Sequence, residues 1–64
     1  MKYTKISVRI KGRDMFHMQK NLYFMDAEKG NAAYHIIMDL LSDMYRLNLI
    51  LDFSIDFGFT EDIQ

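Results

Sequence analysis

The chain has 64 residues, half of them apolar, with no cysteine, proline or tryptophan and a formal net charge of −1. This leaves room for one small domain over residues 1–64 and excludes disulfides and thiolate metal sites. A chain of about 60 residues buries only about 60% of its unfolded surface, and such scaffolds commonly gain stability from a partner subunit.

The charge is unevenly placed. Residues 1–25 carry six basic side chains against one acid, and residues 26–64 carry two against eight. Such a split marks either a nucleic-acid surface or two halves that neutralise each other in the fold. No run of about 18 apolar residues occurs, so no membrane-spanning helix is expected. The start, Met1-Lys2-Tyr3-Thr4-Lys5, leads into alternating residues in place of the apolar block of a signal peptide. The expectation is a complete, soluble, cytoplasmic protein.

Residues 3–11, YTKISVRIK, alternate strictly. Thr4, Ile6, Val8 and Ile10 share one face, and Tyr3, Lys5, Ser7, Arg9 and Lys11 the other, which is the pattern of a half-buried strand. Gly12-Arg13-Asp14 reads as the turn. Residues 15–25 read as a second strand with Phe16, Met18, Leu22 and Phe24 inward and Lys20 out of place on that side. Burial selects a three-residue loop pairing Lys11 with Met15, because a slip by one residue would turn every side chain over. That register sets Tyr3 opposite Tyr23, Arg9 opposite His17 and Val8 opposite Met18.

A helix follows. Asp26 or Asn31 can cap it. The cost of Gly30 inside a helix, about 1 kcal/mol relative to Ala, favours Asn31. From Ala32 to Leu47 one apolar stripe holds Ala33, Ile37, Leu40, Met44 and Leu47, and a second holds Tyr34, Met38, Leu41 and Tyr45. Together they span about 200° of the helix, wider than the stripe of about 100° that one core requires. The surplus is expected on the Tyr34, Met38, Tyr45 edge, whose side chains are of interface type. Asn48 can take the left-handed conformation that ends a helix. Alternation then returns, with Leu49, Leu51, Phe53, Ile55 and Phe57 inward and Ile50, Asp52, Ser54, Asp56 and Gly58 outward. Residues 60–64 read as an acidic tail.

The order strand, strand, helix, strand predicts a two-layer α+β domain. Its three-stranded antiparallel sheet is ordered 2-1-3, with one helix on one face. Lys5, Arg9 and Lys11 would then face Asp52 and Asp56 across the open face, a neutralisation that needs no ligand.

No constellation for chemistry survives inspection. Counted from Asp52, a calcium loop needs Gly sixth and Glu twelfth, where Phe57 and Ile63 stand. Asp52 and Asp56 would lie about 13 Å apart along a strand, too far for a hydrolytic pair. His35, Asp39 and Ser42 resemble a triad in letters only, since they share a solvated helix side. Two histidines do not make a zinc site. The expectation is a protein that is not an enzyme, with no cofactor.

What remains is a protein-interaction module: a regulator or inhibitor, of the kind phage accessory proteins exemplify, acting as a homodimer. The expected protein-binding residues are Tyr34, Met38 and Tyr45 on the helix and Tyr3, Arg9 and Tyr23 on the open sheet face. The alternative is nucleic-acid binding through Lys5, Arg9, Lys11 and Arg13, opposed by the acids that share their face.

Overall fold

The computed structural model describes residues 2–61. The elements are β1 (Tyr3–Gly12), β2 (His17–Phe24), α1 (Ala27–Arg46) and β3 (Ile50–Thr60). The strands form one antiparallel sheet in the order β2-β1-β3, with α1 against one face. Fold class, element order and strand order are those the alternation implies. The acidic tail begins one residue later than expected, and residues 62–64 lie outside the described residues.

The hairpin register differs from the expected one by two residues. Lys11 pairs with His17, Arg9 with Gln19, Val8 with Lys20 and Lys5 with Tyr23. The cause is the turn. Asp14 and Met15 both adopt positive φ, 56° and 64°, and the Phe16 N–H donates to the Arg13 carbonyl at 3.1 Å. This is the sign pattern of a type I′ turn, which twists as the flanking strands do. Met15 and Phe16 therefore belong to the loop. An even shift preserves the faces, so Met18, Lys20, Leu22 and Phe24 still point toward α1.

The helix begins at Asp26, not Asn31. The Asp26 carboxylate accepts the Glu28 N–H at 2.9 Å. Gly30 is buried, and a Cβ there would stand 2.5 Å from Cγ2 of Thr4. Its conformational cost is set against close approach of helix to sheet. That contact also fixes the rotation of α1, so the inward line is Gly30, Ile37, Leu41 and Met44, flanked by Ala33 and Tyr34. Leu40 and Leu47, expected inside, are exposed. At the far end Asn48 has φ 63°, its N–H donating to Tyr45 and the Leu49 N–H to Met44, a Schellman closure.

A second correction lies at the start of β3. Lys11 pairs with Asp52 but Gly12 with Ile50, so Leu51 is an extra residue. A bulge inverts the phase before it. Ile50 thus turns into the core, while Leu49 and Leu51, expected inside, face out. The buried core is small: Ile6, Val8, Leu41 and Ile50, beside the buried Thr4.

Candidate protein-interaction surfaces

Three surfaces carry the exposed chemistry. The first is the open sheet face. β1 presents Tyr3, Lys5, Ser7, Arg9 and Lys11 at its centre. Reading across, Lys5 lies between Tyr23 and Gly58, Ser7 between Asn21 and Asp56, Arg9 between Gln19 and Ser54, and Lys11 between His17 and Asp52. The basic centre and acidic flank are therefore neighbours, as the charge split suggests. They do not close into ion pairs: among the described residues, the one ion pair within 4 Å is Arg46–Asp43 on α1. A shallow concavity of about 650 Å³ sits at the Lys11, His17, Asp52 end of the sheet.

The residues proposed for nucleic acid do not act as one stripe. Lys5, Arg9 and Lys11 line β1. Arg13 is drawn into the hairpin loop, where its Nε donates to the Asn48 carbonyl at 2.8 Å and ties the turn to the end of α1. Tyr3, Arg9 and Tyr23 share the face, but Arg9 stands four residues along β1 from Lys5, the partner of Tyr23. That is about 13 Å of strand.

The second surface is the helix edge over β3. Tyr34 meets Phe57 edge-on at 5.4 Å, and Tyr45 meets Phe53 at 6.1 Å. Such edge-to-face contacts stabilise by about 0.5–1.5 kcal/mol beyond burial. Tyr34 and Met38 are half-buried, and Tyr45 keeps one side exposed. The tyrosines expected to form the surplus edge are thus partly absorbed by the phenylalanines of β3.

The third surface is the opposite helix edge, away from the Tyr34 and Tyr45 contacts with β3. Here Ile36, Leu40 and Leu47 are 67%, 59% and 62% exposed. Ile36 belongs to neither expected stripe, and Leu40 and Leu47 were assigned to the core stripe. The surplus apolar arc is real but falls on this side. The signal for it is present in the sequence: Ala33, Ile36, Leu40 and Leu47 lie at spacings that place them on one side of a helix.

Among the described residues no three His, Asp or Glu side chains gather closely enough to hold a metal ion, and no helix is long and apolar enough to cross a membrane. No family model, curated protein or solved structure matches the chain, so function is argued from these surfaces alone.

Proposed function

We propose that the protein is a non-enzymatic protein-interaction module that works as a homodimer and regulates or inhibits a partner by occupying its surface. The observation that carries this reading is the row Ile36, Leu40, Leu47, about three-fifths exposed, against four buried apolar residues among the described ones. The domain is a slab of 39 × 21 × 10 Å. Its accessible surface is 4932 Å², whereas mass scaling for 7.7 kDa gives about 4,300 Å². The surplus, on the order of 600 Å², reflects the thin, open shape of the slab.

Charge selects the occupant of the row. Lys29 stands near one end and Asp43 toward the other, with Ile36 midway between them in sequence. A two-fold axis at Ile36 runs the helices of two copies antiparallel. It packs Ile36 on Ile36 and brings each Lys29 to the Asp43 of the other copy, a carboxylate that also accepts from Arg46 of its own helix at 2.7 Å and would be shared between the two cations. A parallel pair would set like charges side by side. About that axis Ile36 meets itself and Lys29 complements Asp43, as a two-fold interface requires, while Leu47 lies opposite position 25, beyond the helix.

Light scattering after gel filtration tests this. The expected result is a dimer at micromolar concentration and a folded monomer for Leu40→Asp, since Leu40 is exposed and its replacement leaves the core intact. A wild-type monomer, or a dimer indifferent to Leu40→Asp, overturns the dimer reading.

A further inference from the structure

β2 and β3 each have a neighbouring strand on one side only, and the two outer edges differ. On β2, Lys20 points to the helix side, and an inward-pointing charge on an edge strand guards against pairing. The inward residues of β3 are Phe53, Ile55, Phe57 and Phe59, with no charge among them.

The direction of the β3 edge groups follows from two observations. The Gly12 N–H donates to Phe16 of the β2 side, so the even-numbered residues of β1 bond to β2 and the odd-numbered ones to β3. By the pairing, Asp52, Ser54, Asp56 and Gly58 bond to β1, and the N–H and C=O groups of Phe53, Ile55, Phe57 and Phe59 point outward. In agreement, the Phe53 N–H is met by the Asp52 carboxylate at 2.8 Å, a local bond that caps the start of the edge. The Lys2 ammonium sits over the Phe59 ring at 5.8 Å. Between these ends, Ile55 and Phe57 offer two rungs of backbone donors and acceptors.

We infer that the outer edge of β3 binds an extended segment of a partner protein as a fourth strand, and that this segment alternates apolar and basic residues. This rests on the protein-interaction reading and names the partner's chemistry. Alternate residues of an added strand fall on the helix side, beside Ile55 and Phe57 and near the Tyr34 and Tyr45 edge, where apolar side chains fit. The intervening residues fall on the open face beside Asp52 and Asp56, where Lys or Arg fits. The chain's own β1, KISVRIK over residues 5–11, has this alternation, and it occupies the inner side of β3 with Lys11 opposite Asp52. An antiparallel second copy of β3 centred on Ser54 sets Asp52 against Asp56 twice, a like-charge contact that destabilises, whereas one centred on Ile55 sets Ser54 against Asp56 without that clash. Ile55 and Phe57 amides already protected in the peptide-free protein would therefore overturn the proposal.

The test is titration of the protein with the capped peptide KISVRIK, followed by amide resonances and hydrogen exchange. The expected result is saturable binding with the Ile55 and Phe57 amides newly protected. N-methylation of the peptide's edge-facing amides should abolish binding. Asp56→Asn, which spares the Asp52 cap, should weaken it roughly two- to fivefold, an effect lost at high salt. Absence of binding, equal binding of the acidic peptide EISVEIE, or protection mapped to β2 overturns the proposal. The titration is repeated on Leu40→Asp. A wild-type dimer that does not bind the peptide rejects the edge alone, and peptide binding to a wild-type monomer keeps the edge and rejects the dimer. A folded Leu40→Asp monomer is expected to bind the peptide as the wild type does.

Discussion

At the scale of single residues, Gly30 does more than its propensity allows. In an isolated helix Gly30→Ala would stabilise by about 1 kcal/mol. Here the new methyl group would stand 2.5 Å from Cγ2 and 2.9 Å from Cβ of Thr4, a residue 98% buried by its 2% exposure. Thr4 is β-branched and stiff in a strand, so the helix must lift. Overpacking of this kind costs about 1–3 kcal/mol, and the variant is expected to be less stable by urea titration despite its better helix former. Thr4→Ser removes the closer of the two obstructing carbons and should recover part of the loss, since the Cβ at 2.9 Å remains. A stabilised Gly30→Ala protein would show that α1 is free to shift on β1. The sequence marks Gly30 as a helix liability, because propensity is local and the contact with Thr4 joins residues far apart in the chain.

At the scale of elements, periodicity reveals which residues share a face and fails where the backbone breaks its own count. The faces of β1 and of β3 from Phe53 onward were legible, as was the order 2-1-3. The bulge at Leu51 was not, since nothing in ILDFS distinguishes a bulge from a regular strand. Its consequence is measurable. Ile50→Ala is expected to cost roughly 2–4 kcal/mol and Leu51→Ala less than about 1 kcal/mol. Equal effects in chemical denaturation would restore the unbroken phase. The helix shows the same limit. The width of its apolar arc is a sequence property, but its direction is set by Gly30 and by the phenylalanines of β3. That is why the Tyr34, Met38, Tyr45 edge is half-covered while Ile36, Leu40 and Leu47 stand out.

At the scale of the molecule, the uneven charge is arranged in stripes. A basic centre lies between a neutral β2 and an acidic β3 on the open face, with Lys29 and Asp43 spaced along the helix row. On the reading proposed, the first arrangement would favour basic partners at the β3 edge, and the second would favour an antiparallel helix pair. Both follow from a thin, two-layer domain that leaves much of its apolar surface outside. The direct measurement is the dimer dissociation constant, by sedimentation equilibrium, of the wild type, Lys29→Asp, Asp43→Lys and the doubly reversed protein. The account predicts a wild-type dimer, weaker association for each single reversal, and recovery in the double variant, because the two charges meet across the two-fold axis. A wild-type monomer at tens of micromolar, or a double variant weaker than either single one, would contradict it.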